Sequence, residues 1–203
     1  MRHHEIFRDV SRETFPKIEA FADLVQRWNR KINLVADAST DQLWQRHIAD
    51  SAQLLDHLPD AAKTWIDLGS GGGFPALVCA IALGDQSPHL TLLESDQRKA
   101  VFLREAIRVT GANAGVKAHR IEAIPPEPYD LVTARALAPL PKLLAYAEKF
   151  CQDGTVLLLP KGKSASSELT QARVDWHMDV DTLPSRTDSE ATIFRIRGLE
   201  RRI

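Results

Sequence analysis

The chain has only two cysteines, Cys79 and Cys151, widely separated and each in a predicted apolar helix or at its edge. Two such thiols exclude a disulfide framework and are expected to be buried and reduced, as suits the cytosol. The seven histidines show no H-x-x-x-H spacing and the cysteines no C-x-x-C, so no metal site is expected. Charge of one sign is also lacking. The 26 basic residues stand against 27 acidic ones, a net charge of −1, so contact with RNA would have to come from local patches and not from a whole-molecule field. No apolar run approaches transmembrane length. The first residues, MRHHEIFRDV, carry frequent charge and no apolar h-region, which predicts no signal peptide and a cytoplasmic protein without membrane contact. Repeats and low-complexity linkers are missing. What is left is an ordinary globular composition, 44% hydrophobic and 26% charged over 203 residues, enough for one well-buried α/β domain with a helical extension.

The informative stretch is Thr64 to Pro75, TWIDLGSGGGFP. Trp65, Ile66 and Leu68 form a short apolar run of the kind found in a parallel strand buried on both faces. Gly69, Gly71, Gly72 and Gly73 then allow a sharp turn and close approach of a ligand to bare backbone. Phe74 to Leu83 follows with helix-forming residues, Pro75 near the first turn, where its missing N–H costs nothing. A P-loop would need G-x-x-x-x-G-K-[ST], and no lysine follows these glycines. The later Gly162-Lys163-Ser164 imitates its end, but Leu157 stands where the first glycine belongs. A dinucleotide fingerprint would need glycine where Phe74 stands. Asp67-x-Gly69-x-Gly71-x-Gly73 is left, which resembles the first motif of S-adenosylmethionine-dependent methyltransferases of the doubly wound fold.

Residues 1–63 read as a helical extension and 64–203 as the methyltransferase domain, together one structural unit. Phe21, Leu24, Val25, Trp28, Ile32 and Val35 recur at helical spacing and predict one helix of about five turns. Its other face carries Lys17, Arg27, Arg30 and Lys31, either a solvated helix face or part of an RNA-binding surface. A second helix is expected from a Ser39 or Thr40 cap to Leu58. His47 lies on its apolar stripe near Asp50 and reads more readily as a hydrogen-bonded core histidine than as a catalytic one.

Beyond the glycine loop, strands are predicted at Leu90 to Leu93, Val116 to Ile121, Tyr129 to Thr133 and Thr155 to Leu159. The intervening helices are predicted at Gln97 to Val109, closed by Gly111, and Leu140 to Phe150. A polar helix near Ser164 to Val174 and closing strands at Met178 to Leu183 and Thr192 to Ile196 complete the pattern. Such alternation indicates a doubly wound, mainly parallel, seven-stranded α/β sheet with right-handed crossovers.

Ligands of open α/β sheets bind beyond the carboxyl ends of the strands. Glu94 ends the second strand about 25 residues after Gly69, near the spacing at which an acid binds ribose hydroxyls. Ile121 and Glu122 are expected to close the third strand, where an apolar side chain could flank an adenine. Arg135, just past the fourth strand, could meet a cofactor carboxylate or an RNA phosphate, or make a structural ion pair. Lys161 and Lys163 would sit on the same rim as candidate phosphate ligands.

DLGSGGGFP, LLESDQRKAVFL, YDLVTARALAPL and LLLPKGK, preceded by WNRKINLV and RHIADS, resemble the bacterial small-subunit ribosomal RNA guanine-N7 methyltransferases, also called the glucose-inhibited division protein B family. The resemblance runs from about Trp28 to Lys163. It implies a Rossmann-like methyltransferase with S-adenosylmethionine as methyl donor and S-adenosylhomocysteine as product. The implied acceptor is a guanine in the 530 loop of 16S ribosomal RNA, within the 30S subunit or an assembly intermediate. The family's cofactor contacts fall on Gly69, Phe74, Ile121, Glu122 and Arg135. Ala76 departs from the pattern where another glycine is frequent, and Val35-Ala36 replaces the more usual Thr-Ala.

Guanine N7 carries an in-plane lone pair and no proton, so in-line attack on a sulfonium methyl needs no general base. Consistently, no Asn/Asp-Pro-Pro-Tyr motif follows the fourth strand; Arg135-Ala136 stands there. No catalytic base is assigned, and Arg135 is a candidate for positioning. A same-fold methyltransferase acting on a small molecule or protein, or a catalytically silent RNA-binding assembly factor, remains compatible with these residues. No long exposed apolar stripe demands a partner, so a monomer is expected.

Overall fold

The computed structural model describes residues 13–202. The strands are β1 (Thr64–Leu68), β2 (His89–Leu93), β3 (Ala114–Lys117), β4 (Leu131–Thr133), β5 (Val156–Lys161), β6 (Trp176–Pro184) and β7 (Thr192–Arg201). They form one seven-stranded sheet in the order β3-β2-β1-β4-β5-β7-β6. All pairings are parallel except those of β7, which runs against both β5 and β6. The order reverses between β1 and β4, which is where a ligand crevice opens in such sheets.

Alternating side chains along each strand divide the core between two faces. Trp65, Leu90, Leu92, Leu131 and Leu158 enter one cluster; Ile66, Leu68, Leu93, Val132, Leu157 and Leu159 enter the other. The first face is covered by α1 (Thr14–Asn29), α4 (Ala76–Leu83) and α5 (Gln97–Thr110), the second by α6 (Leu140–Ala147) and α7 (Ala165–Asp175). Helix α4 reads ALVCAIAL and is almost wholly buried, as an apolar surface on all sides requires. Helix α5 begins at Asp96, whose carboxylate accepts the Arg98 and Lys99 amides, and ends at Gly111 in the left-handed conformation. Glycine is the expected terminator there.

Three expected boundaries move for identifiable reasons. The first helix stops at Asn29 instead of running to Val35. The Asn29 side chain accepts the Leu34 and Val35 amides and donates to the Val35 carbonyl, folding the chain back at the helix end. The segment from Ser39 to Leu58 is four short pieces: α2 (Thr40–Leu43), a π-helical stretch (Trp44–Ala49), α3 (Asp50–Ala52) and a 3-10 turn (Gln53–His57). Ser39 precedes it without a side-chain cap; its own amide donates to Asp37. Finally, β3 ends at Lys117 and not at Ile121, because its partner β2 ends at Leu93, opposite Lys117. Ile121 to Ala123 is instead a 3-10 turn, and Lys149 donates to its Ile121 carbonyl and to Ile124 at 2.6 Å each.

Asn29→Ala should lower unfolding stability by roughly 1–3 kcal/mol, the cost of leaving partly buried amides unpaired. Urea unfolding reads this, and an unchanged midpoint would show that side-chain packing alone holds the 30–35 turn.

Candidate functional site: the crevice at the ends of β1, β4 and β5

Gly69, Gly71 and Gly73 all have positive φ, a conformation that side-chain-bearing residues rarely adopt. A Cβ on Gly69 would meet the Leu137 side chain at 2.7 Å, whereas one on Gly71 would find only the Gly69 carbonyl, at 3.8 Å. The loop therefore turns tightly and keeps open backbone at Gly71.

Asp67 lies beneath this loop, almost completely buried. Its Oδ1 accepts the Thr133 hydroxyl at 2.6 Å, and the Trp65 indole donates to the same hydroxyl oxygen at 2.9 Å. Its Oδ2 is the one buried side-chain polar atom without a partner among the described residues. Burial pushes the carboxyl up to about 7, against the opposing hydrogen bond from Thr133.

Glu94 is buried directly after β2. One carboxylate oxygen accepts the Gly71 amide at 2.8 Å and the other the Asp96 amide at 2.7 Å. It thus braces the glycine loop against the start of α5, and each oxygen keeps acceptor capacity. Ile121 is buried in the 3-10 turn that follows β3, while Glu122 is exposed. The unpaired Asp67 oxygen, the open Gly71 backbone and the residual acceptors of Glu94 suit a polar, hydroxyl-bearing cofactor with a compact cationic group.

Arg135 makes an ion pair, one of the roles expected of it. Its guanidinium reaches Asp50 Oδ2 at 3.3 Å, the Arg46 carbonyl at 3.3 Å and His47 Nδ1 at 2.9 Å. It stacks 5.1 Å from the Phe74 ring centre, and the His47 ring lies 5.2 Å from the same ring. Phe74 is thus the buried floor of this cluster. Burial, and then the neighbouring Arg135 charge, lower His47 to about 4. The next residue, Ala136, is the one non-glycine among the described residues with positive φ, at 54°, a local strain of the kind that gathers at functional loops.

This cluster forms one end of a cavity of about 1090 Å³, which runs past Leu137 and Lys161 to the β6–β7 loop at Ser185 to Thr192. Leu137 also abuts Gly69, so the cavity adjoins the glycine loop. The loop wall is tied down by Gln53 and Asp50: Gln53 accepts the Arg186 amide, and the Thr187 hydroxyl donates to Asp50 Oδ1 at 2.8 Å.

The candidate cations separate. Lys161, expected on an open rim, is only 9% exposed; it pairs with Glu168 at 2.7 Å and donates to the Ala138 carbonyl. Lys163 is exposed. Arg27, Arg30 and Lys31 are exposed at the end of α1 and beyond it, around a smaller recess of about 420 Å³ with Trp28 and Glu105.

Sequence reasoning passed over the orphaned Asp67 oxygen, the Asp50–Arg135–His47 cluster, Leu137 and the 185–192 wall. Asp67 had a signal, an acid inside an apolar strand. The others join residues tens of positions apart and carry none.

The strand order, the reversed β7 and the glycine loop at the switch point define the Rossmann-like fold of S-adenosylmethionine-dependent methyltransferases. Solved structures agree: an O-methyltransferase from Bacillus cereus in complex with SAH superposes with a TM-score of 0.58 at 16% identity, covering 88% of this chain and 90% of that one. The SAH-bound Podospora anserina methyltransferase PaMTH1 gives 0.61 at 16% identity over 92% and 96%. The family model GidB, rRNA small subunit methyltransferase G, matches residues 14–192, and the chain belongs to that family. Its relatives include the ribosomal RNA small subunit methyltransferases G of Gluconobacter oxydans, 50% identical over 95% of this chain and 97% of that protein, and of Rhodospirillum centenum, 51% identical over 92% and 85%.

The raised Asp67 carboxyl makes a pH prediction with a definite sign. The folded state holds this proton to higher pH than the unfolded chain does, so the contribution is full below about 4 and is lost as pH rises through about 7. Relative to Asp67→Asn, the wild-type protein should lose up to about 4 kcal/mol of stability between pH 4 and pH 8. Parallel urea-unfolding profiles for the two proteins would show that the Asp67 proton does not couple to folding.

Proposed function

We propose that this protein methylates N7 of a guanine in the 530 loop of 16S ribosomal RNA, using S-adenosylmethionine. The supporting observation is the cavity beside the glycine loop, at whose β4 and β5 end Asp50 is engaged by Arg135, Glu168 by Lys161 and His47 Nδ1 by Arg135. Such a lining suits a nucleophile that has no proton to give up, as N7 has. Family membership supports the substrate class.

In this reading Gly69 and Gly71 offer backbone to the cofactor, Glu94 accepts its ribose hydroxyls, and Ile121 and Glu122 flank its base. Phe74 and Arg135 support the methionine end, and Asp67 Oδ2 is the acceptor left for a cationic group. The cofactor supplies an electrophilic sulfonium methyl. The protein supplies alignment, which can account for roughly 7–11 kcal/mol of a barrier when the entropy of encounter is prepaid on binding. The target base enters unstacked, which an RNA loop allows more readily than a duplex. Arg27, Arg30, Lys31 and Lys163, all exposed, serve in this reading as phosphate contacts, with Lys161 holding the rim through Glu168. The substrate is the 30S subunit or an assembly intermediate, and the enzyme acts as a cytoplasmic monomer. Among the described residues, no helix is long and apolar enough to cross a membrane.

Labelled S-adenosylmethionine and undermethylated 30S particles test the reaction. Label mapping to N7 of a guanine in the 530 loop is expected; label elsewhere, or none, would overturn the assignment. Glu94→Gln should weaken cofactor binding about tenfold or more by removing a charged acceptor. Calorimetry giving an unchanged dissociation constant would remove Glu94 from the site.

A further inference from the structure

We propose that His47 selects the base to be methylated, donating from Nε2–H to O6 of the target guanine; this rests on the guanine-N7 reading above. The tautomer follows from donor chemistry. Arg135 has five N–H donors and no acceptor, so His47 Nδ1, 2.9 Å from its guanidinium, must present a lone pair. In a neutral ring the proton then sits on Nε2. The ring stays neutral because burial and the Arg135 charge disfavour the imidazolium.

Nε2 has no partner among the described residues, and it is not a buried unsatisfied atom, since Asp67 Oδ2 alone has that status. It therefore keeps contact with solvent, and the ring lines the cavity. The donor is also held still. Phe74 lies against the ring, Asp50 anchors Arg135, and Asp50 is itself held by Gln53 and Thr187.

A purine offered through N7 shows its 6-substituent on the same edge. Guanine presents the O6 acceptor there and adenine the N6 amino donor. A fixed N–H whose ring has already committed its lone pair elsewhere can pair with O6 but cannot accept from N6. Adenine would leave two donors facing each other. Arg135 is, in this arrangement, a positioning residue that acts through His47.

The test crosses a protein change with a base change. Reconstituted 30S particles carry either guanine or 2-aminopurine, which keeps N7 but lacks O6, at the target position. Wild-type kcat/KM should fall roughly ten- to a hundredfold on 2-aminopurine. His47→Ala should fall by a similar factor on guanine and show little further loss on 2-aminopurine, with cofactor affinity by calorimetry unchanged. His47→Gln, which restores an N–H donor, should recover part of the guanine activity. If His47→Ala lowers the melting temperature, His47→Phe, which keeps a ring on Phe74 and donates nothing, is read in its place. Equal losses on both bases, or no loss on guanine, would overturn the assignment while leaving the guanine-N7 reading standing. Wild-type enzyme that binds cofactor yet never methylates the guanine would instead overturn that reading and this one together.

Discussion

The ion pair between Arg135 and Asp50 is the contact on which the geometry of the crevice depends. Its side chains are 17% and 19% exposed, so each charge has given up most of its water and needs the other. Removing one partner of such a pair typically costs 3–5 kcal/mol, because the survivor is left buried and uncompensated. Arg135 follows β4, and Asp50 belongs to the helical segment that precedes β1. The second oxygen of Asp50 accepts from Gln53 and Thr187, which brings in the loop between β6 and β7. One carboxylate therefore joins three distant parts of the chain around the cavity, and the His47 ring is oriented as a consequence.

On the other side of Phe74, the glycine loop follows a different logic. Its backbone is held by Glu94 through the Gly71 amide, while Asp67 below it carries an oxygen with no partner. A buried, unpaired carboxyl is unfavourable for folding, and the raised proton affinity of Asp67 is the form that cost takes. Stability is thus lower at neutral pH than the packing of β1 alone would permit. A site that waits for a cationic ligand would be built in this way.

The sheet was legible because buried parallel strands and their connections leave local marks: short apolar runs, and glycine after β1 and at the end of α5. The boundaries that moved were those set by non-local partners. β3 is cut short by the length of β2, and α1 is closed by a side chain folding back from Asn29. Glu94 was visible from its spacing, but its present partners, the Gly71 and Asp96 amides, were not. Lys161 looked like an open rim cation, yet Glu168, seven positions on in sequence and one turn into α7, takes its charge.

The sequence by itself determined the α/β alternation, the glycine loop after β1, the acid after β2 and the family, because each depends on residue types at short, regular spacing. Only the tertiary structure decided that Arg135 pairs with Asp50, that His47 sits neutral against Phe74, and that the 185–192 loop walls the cavity. The Asp50 contacts with Arg135 and Thr187 join residues 85 and 137 positions apart. Chain spacing carries no record of them; they exist because packing the helical segment against the sheet brings these charges out of water together, where each must find a partner.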